Sequence, residues 1–295
     1  MQDLYTAAPP TLKFPAVVEV LPGNNPDHGQ RCRLYHRDGC VDAWTWLDLD
    51  PVTPTGLHWG FATTLDVGLV AEDVLLLSLH QGQDPTLSAL LPESLCPLPG
   101  VLRRTTRLID GLSHAALRDF LTLALLRRDV LHGYWTSPAS RRDHHAYPGG
   151  LAEHSLDVAT MVATTAGLPS ADRELGIAFG LLHDLGKIWC YTYPTHEPAD
   201  SRDHEALGRQ RLQPALSVLC ARSPRLGGLM RELLGGPRAP RPGSYPLAIG
   251  RVVRSFDQMS CEKTRTASAD LKEVEDWDIP FQSTGTKGPP DPYLT

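Results

Sequence analysis

The sequence predicts an α+β protein in which a small antiparallel β-barrel precedes an all-helical domain. In the first hundred of the 295 residues, short β-branched or alternating runs are separated by turn signals. From residue 112 onward, apolar residues recur instead with the period of an amphipathic helix. We therefore predict a β-rich domain over 1–98, a linker over 99–111, a helical domain over 112–270 and a partly disordered tail over 271–295.

The β-rich domain contains candidate strands at 13–21, 31–37, 59–70 and 74–80. A further candidate follows the hairpin signal Asp38-Gly39. In this strand, one set of side chains alternates with a polar or aromatic set, as is typical of a strand with one buried face. The first set is Val41, Ala43, Thr45, Leu47 and Leu49, and the second is Asp42, Trp44, Trp46 and Asp48.

The helical domain is predicted from apolar periodicity and capping residues. Ser113 is placed to cap a helix that continues to Arg128, and Asp172 to cap a helix over 173–186. Another helix, over 151–166, follows the turn-forming segment 147–150. The remaining predicted helices cover 203–222, 224–234 and 246–265.

Composition excludes several classes of protein. Apolar residues make up 41% and charged residues 21% of the chain, which is typical of a globular protein. No apolar run is long enough to span a bilayer, and the first 20 residues lack a secretory signal. The six cysteines form no CxxC pair, which argues against a zinc site built of several thiolates. We expect a cytoplasmic protein without membrane contacts.

The distribution of charge is more informative than the total. The net charge of −6 discourages a nucleic-acid partner, but residues 202–254 hold ten arginines against three acidic residues. These guanidinium groups could follow a phosphate backbone, although a solvated helix surface is the alternative. The candidates for substrate binding are Arg209, Arg211, Arg251 and Arg254.

The first hundred residues show the opposite balance, with four basic and 12 acidic side chains. Such a domain is a poor electrostatic partner for a phosphate backbone. A protein contact or self-association through this acidic domain is at least as consistent with its charge as nucleic-acid binding.

A metal site is the strongest chemical signal in the sequence. His154, the pair His183-Asp184 and Asp257 all lie on or at the end of predicted helices. Imidazole and carboxylate ligands together suit Mn, Fe, Co, Ni, Zn or Mg. The alternatives are a core histidine at position 154 and a capping or ion-paired aspartate at 257. Asp270 is a rival for the last ligand.

Two residues beside the His-Asp pair support this interpretation. Gly186 permits another element to approach closely, and Lys187 places a cation where a substrate phosphate could lie. The alternative for Lys187 is neutralisation of a helix C-terminus.

The segments GGLAEHSLDVA (149–159) and GLLHDLGKI (180–188) resemble the HD-domain metal phosphohydrolases, whose signature is H…HD…D. The segment SPASRRDHHAYPGGLAEHSLDVA (137–159) also resembles the YhaM-type 3′→5′ exoribonucleases, which join an OB-fold to an HD domain. This resemblance implies that the predicted barrel is OB-like. HD-type conjugative relaxases and TraI-like proteins are a second resemblance. The positions that match the signature are His154, His183, Asp184 and Asp257.

The resemblance implies metal-dependent hydrolysis of a phosphodiester in single-stranded RNA or DNA, with Mn as the favoured ion. Catalytic roles would fall to Asp184, Lys187, His144 and His145. For His144-His145, a polar turn before Pro148 is the alternative. Two other functions stay open: hydrolysis of a nucleotide or cyclic nucleotide, and an accessory role in a conjugation complex with weak or no catalysis.

One feature departs from the two-metal members of this group, which carry further histidines between the HD pair and the last aspartate. His204 matches the first of these as a ligand of a possible second metal, but no histidine follows it. The protein could therefore use one metal, complete a second site with another residue type, or have lost catalysis.

Overall fold

Five strands form the N-terminal part of the computed structural model. The structure describes residues 11–22, 29–49, 56–66, 74–80, 85–141, 144–191, 204–237 and 245–275, with side chains up to residue 262 in the last range. All five predicted strands are present. They are β1 (Thr11–Val20), β2 (Gln30–His36), β3 (Gly39–Thr45), β4 (His58–Asp66) and β5 (Val74–His80).

These strands close into a barrel in the order β1-β2-β3-β5-β4, with β4 paired to β1. The expectation of a purely antiparallel barrel is wrong at one point, because β3 and β5 are parallel. A closed ring with an odd number of strands cannot alternate direction throughout, so at least one pair must be parallel. The predicted alternation in β3 is confirmed, since Ala43 and Thr45 are buried while Trp46 beyond the strand is 66% exposed.

Ten helices follow the barrel among the described residues. The first three are α1 (Leu87–Leu90), α2 (Val101–Asp110) and α3 (Ala115–Leu125). The next four are α4 (Arg128–Thr136), α5 (Gly150–Thr164), α6 (Ser170–Leu182) and α7 (Lys187–Tyr191). The last three are α8 (His204–Arg222), α9 (Pro224–Leu234) and α10 (Ala248–Glu275).

Helix α2 occupies most of the segment that we predicted to be a linker, 99–111. Its residues Val101, Leu102 and Ile109 are buried in the main hydrophobic core. The proline- and glycine-rich residues before it mark only the turn into the helix, because Gly100 caps α2 in the left-handed conformation at φ 78°.

The predicted helix caps are corrected in two places. Ser113 does not begin a helix through Arg128; its amide donates to Glu174 Oε1 at 3.0 Å, and the chain forms α3 and α4 instead. Asp172 lies in the first turn of α6, whose N-cap is Pro169. Helix α10 continues past residue 270, and the predicted tail from 276 onward lies outside the described residues.

The barrel has a hydrophobic cluster of its own, and part of the barrel also packs into the core of the helices. Val17, Tyr35 and Leu57 belong to the same hydrophobic cluster as the buried residues of α3 to α6. The hydroxyl of Tyr35 donates to Glu19 Oε2 at 2.8 Å and lies 3.0 Å from His132 Nε2 on α4. Within the part of the chain described here, we find no helix with the length and apolar character needed to cross a bilayer.

Candidate metal centre

Helices α5, α6 and α10 bring the four predicted metal ligands together. His154 lies on α5 and is 0% exposed, His183 and Asp184 follow the end of α6, and Asp257 lies on α10. One donor atom of each lies within 4.8 Å of the donor atoms of the others. Nε2 of His154 is 3.2 Å from Asp257 Oδ1 and 3.4 Å from Asp184 Oδ2. The side chain of the rival Asp270 lies outside the described residues.

The His183 ring is oriented by a backbone contact. Its Nδ1 lies 2.8 Å from the carbonyl oxygen of Gly180. A carbonyl only accepts hydrogen bonds, so Nδ1 must carry a hydrogen, and Nε2 is the nitrogen that can offer a lone pair to a metal. This Nε2 lies 3.4 Å from Asp184 Oδ2 and 3.7 Å from Asp257 Oδ1.

Within the four-residue cluster, two buried nitrogens have no hydrogen-bond partner among the residues that the structure describes. They are Nε2 of His154 and Nε2 of His183. Buried polar atoms in proteins are nearly always satisfied. Two such nitrogens directed at two carboxylates therefore fit a divalent cation, which takes imidazole nitrogen and carboxylate oxygen as ligands.

The end of α6 explains why adjacent residues can both reach one site. The predicted helix over 173–186 stops at Leu182, and residues 183–186 form a turn instead. The turn lies against the start of α8, where a Cβ at Gly186 would come within 1.8 Å of the His204 carbonyl oxygen. The close approach that we predicted at Gly186 is confirmed.

The electrostatics of the site favour positive charge. Asp184 is 4% exposed, and although burial raises the pKa of its carboxyl, His183 and Lys187 together hold it well below the usual range. Burial likewise opposes ionisation of Asp257, but contacts with His154 and His183 lower its pKa. Burial disfavours a charged His183 ring, yet Asp184 and Asp257 outweigh burial and raise its pKa to about 10. The two carboxylates thus stabilise a proton on His183, which a metal ion at this site would displace.

A pocket opens beside the ligands and carries basic groups. Three of the predicted ligands, His183, Asp184 and Asp257, line one part of it. Nη1 of Arg254 lies 2.5 Å from Asp257 Oδ2. The other polar residues that line the pocket are Glu205, Arg209, Tyr245 and Arg254.

The predicted substrate-binding residues divide into two groups. Arg209 and Arg254 line the pocket, and Nζ of Lys187 lies 2.6 Å from Asp184 Oδ2. The structure does not bring Arg211 and Arg251 to this pocket. Arg211 lies over the ring of Trp189, 5.0 Å from its centroid, and Arg251 is exposed. Arg209 and Arg211 are two residues apart on α8, so their side chains point in nearly opposite directions. The number of arginines in the segment does not show which of them face the pocket.

His145 contacts the ligand His154 through a hydroxyl. The buried His145 ring has Nδ1 2.8 Å from Tyr147 Oη and 3.2 Å from Glu153 Oε2. Its Nε2 lies 3.4 Å from Ser260 Oγ, and that oxygen lies 3.2 Å from Nδ1 of His154. His145 is therefore placed to orient a ligand.

His144 lies on the same side of the centre, with its ring centroid 5.5 Å from that of His154. Both of its ring nitrogens are buried without a hydrogen-bond partner in the described ranges. Burial, with Lys187 and His154 nearby, lowers the pKa of His144 to about 4. The ring is neutral at physiological pH.

His204 lies on the other side of Asp184. Its Nε2 is 3.2 Å from Oδ1 of Asp184, whereas His154 and His183 face Oδ2 of the same carboxylate. Asp184 thus stands between the four-ligand cluster and the residue predicted for a second metal.

Sequence reasoning missed Ser260 and Cys261. They follow Asp257 by three and four residues on α10, a spacing that places side chains on one face of a helix. This spacing from Asp257 was the signal in the sequence that could have identified the two residues. It indicates a place at the site only when Asp257 is known to face the site.

The comparison with protein families decides the nature of this region. Residues 151–221 match the family described as the HD domain, and this range includes three of the four clustered residues. The chain contains an HD domain. HD domains bind divalent metals, and the His154, His183, Asp184 and Asp257 cluster is the candidate site in this one.

The HD region is similar to curated exoribonucleases. The chain is 36% identical over 84 residues to the 3′-5′ exoribonuclease YhaM of Listeria monocytogenes, covering 28% of the chain and 26% of the relative. It is 42% identical over 52 residues to the YhaM proteins of Bacillus licheniformis and Bacillus subtilis, with 17% of each chain covered. The chain thus spans about a quarter of the relatives' length or less. No solved structure matches the chain significantly. The resemblance to relaxases stays a prediction.

Proposed function

We propose that this protein is a metal-dependent phosphodiesterase that removes nucleotides from the 3′ end of single-stranded RNA or DNA. The observation that carries the proposal is the cluster of two histidine nitrogens and two carboxylates within 4.8 Å, with Arg209 and Arg254 along the adjoining pocket. The YhaM relatives are exoribonucleases by name, which favours RNA. Placement in the cytoplasm is part of the same proposal.

His154, His183, Asp184 and Asp257 would hold the ion, for which Mn²⁺ is the favoured candidate. When bound, the ion would supply Lewis acidity toward a phosphoryl oxygen and lower the pKa of a water. Asp184 is held in position by Lys187, and His183 by the carbonyl of Gly180. Because both contacts fix the ligand side chains before the ion arrives, little reorganisation is needed on binding.

The basic groups of the pocket would bind the substrate phosphate. Arg209 and Arg254 each present a planar guanidinium that suits two oxygens of one phosphate. Lys187 adds a positive charge next to Asp184, where it stabilises charge that develops on the phosphoryl group. His145 acts as a positioning residue through Ser260. His144 stays a candidate for direct contact with substrate, because its ring nitrogens are buried and free of hydrogen bonds among the described residues.

A single ion is the simplest assignment. Among the described residues, the four clustered donors form a group that can share one ion, and His204 lies outside that group. A second ion would need Asp184 as a shared ligand between the cluster and His204.

We also propose that the N-terminal barrel is OB-like, on the basis of its five strands and its closed order. Its excess of acidic residues favours a protein contact or self-association over phosphate binding. Hydrolysis of a free nucleotide is a second candidate function for the same pocket. Tyr245 and Leu234 border the pocket beside the ligands, which suits a free nucleotide as well as the end of a strand.

The test is a cleavage assay on single-stranded RNA, single-stranded DNA and cyclic nucleotides, at measured Mn²⁺ occupancy. Wild-type protein with 5′-labelled oligonucleotide should give a ladder that shortens one nucleotide at a time from the 3′ end. Asp184→Ala should abolish it, while the exposed Asp48→Ala should not. An intact oligonucleotide with metal-loaded wild-type protein would overturn the proposal. Cleavage of cyclic nucleotides alone would favour the small-substrate alternative.

A further inference from the structure

Cys261 lies beside the candidate metal centre without being one of its four ligands. It follows Asp257 by one helical turn on α10, so both side chains face the same region. Its Sγ is 3.7 Å from Asp257 Oδ1, and that oxygen is 3.2 Å from Nε2 of His154. The sulfur therefore lies at the edge of the cluster.

His144 supplies an independent observation at the same edge. Neither of its buried ring nitrogens has a hydrogen-bond partner in the part of the chain that the structure describes. A buried polar atom left in this state costs free energy, which a ligand can recover. One donor atom from each of His144, His154 and Cys261 lies within 4.8 Å of the others. Two imidazole rings that each carry a buried nitrogen without a partner among the described residues thus lie close to one thiol.

We propose that His144, His154 and Cys261 form a second metal position, selective for soft divalent ions such as Zn²⁺ or Cd²⁺. Sulfur and imidazole are the ligands that these ions prefer, whereas Mn²⁺ and Mg²⁺ prefer sites rich in carboxylate oxygen. On binding, the thiol releases its proton to solvent and the thiolate donates its electron pair to the ion.

The two positions share His154, which makes their occupation mutually exclusive. Nδ1 of His154 lies 3.2 Å from Ser260 Oγ, and a neutral imidazole has one nitrogen with a free lone pair. Whichever nitrogen carries the hydrogen, the neutral His154 ring can therefore bind one ion at a time. A soft ion held by Cys261 would withdraw His154 from the four-ligand site and lower the affinity of that site for Mn²⁺. This inference does not depend on the proposed nuclease activity.

The test is a titration of the metal-free, full-length protein with Cd²⁺, followed by the sulfur-to-cadmium charge-transfer absorption in the ultraviolet. We expect the band to saturate near about one ion per chain and to disappear in Cys261→Ser. His144→Gln should weaken Cd²⁺ binding about tenfold or more, in line with the loss of one ligand. Cys40→Ser, at an exposed cysteine, is the matched control and should retain the full band.

Competition between Cd²⁺ and Mn²⁺ gives a second measurement, which does not rely on the absorption band. Added Cd²⁺ should raise the apparent Kd for Mn²⁺ in the wild type and much less in Cys261→Ser. A charge-transfer band that persists in Cys261→Ser, or one that Cys40→Ser removes, would overturn the proposal. So would equal competition by Cd²⁺ in the wild type and Cys261→Ser. No readout uses catalysis, so failure here is distinct from failure of the proposed function.

Discussion

Nζ of Lys187 lies 2.6 Å from Oδ2 of Asp184, the same carboxylate oxygen that faces His154 and His183. The ammonium group offsets one of the two negative charges in the ligand cluster. A divalent ion in the cluster would therefore leave the site with an excess of positive charge, beside a pocket that already holds Arg209 and Arg254. Such a site attracts phosphate more strongly once the ion has bound.

The first prediction concerns this lysine. Lys187→Gln should reduce kcat by about 100-fold, because it removes a charge that stabilises the phosphoryl group in the transition state. The affinity for Mn²⁺ should not fall, since the substitution removes a competing cation. Steady-state kinetics and metal titration measure the two effects separately, with the exposed Lys13→Gln as control. A loss of Mn²⁺ affinity that accounts for the whole loss of activity would contradict this role.

The second prediction concerns protons. The pKa of His183 is about 10 in the metal-free protein, so its ring is charged at neutral pH and must lose a proton when an ion binds. The apparent affinity for Mn²⁺ should therefore increase with pH, by about tenfold per unit between about pH 6 and pH 8. Calorimetric titration in buffers of different ionisation enthalpy counts the released protons. Binding without proton release would show that His183 is not a ligand.

The third prediction concerns the turn after the His-Asp pair. At Gly186, a Cβ would come within 1.8 Å of the His204 carbonyl oxygen and 2.7 Å of the Gly208 amide nitrogen. Because both neighbours are backbone atoms, Gly186→Ala should lower the free energy of unfolding by about 3 kcal/mol. Gly228→Ala is the matched control, since its Cβ would meet nothing within 4 Å and alanine favours the helix by up to about 1 kcal/mol. Equal effects in urea denaturation would refute the close contact.

The fourth prediction separates two arginines of the arginine-rich segment 202–254. Arg209 lines the pocket beside the ligands, whereas Arg251 is exposed and lies outside its lining. Arg209→Gln should weaken binding of a single-stranded oligonucleotide and reduce its salt dependence by about one phosphate contact. Arg251→Gln should change neither by much. Fluorescence anisotropy at several salt concentrations measures the affinity and its salt dependence. An equal effect of the two substitutions would show that the pocket does not bind the oligonucleotide.

Much of the fold was predictable because local patterns determine it. The five strands follow alternating or β-branched runs, and the helices follow apolar periodicity. The parallel pairing of β3 with β5 could not be predicted in this way, because it arises from closure of the whole ring. Helix α2 was not predicted, because the proline and glycine residues before it are typical of a linker, although the helix has an apolar face of its own.

The four clustered residues of the candidate site were predicted because the HD motif is specific. The surrounding residues were not, since their roles depend on which helix face meets the site. Arg209 and Arg211 both belong to the arginine-rich segment 202–254, yet only Arg209 reaches the pocket. Cys261 and Ser260 carry no motif and become significant only through their position after Asp257 on α10.

The most direct test of the metal centre is anomalous diffraction from a crystal of the protein soaked in Mn²⁺. We expect an anomalous peak about 2.1 Å from Nε2 of His154 and of His183, with carboxylate oxygens of Asp184 and Asp257 completing the ligand set. The peak should be absent in a crystal of His183→Ala. A fully occupied ion elsewhere in the wild-type crystal, with none among these four residues, would show that the cluster is not the metal centre.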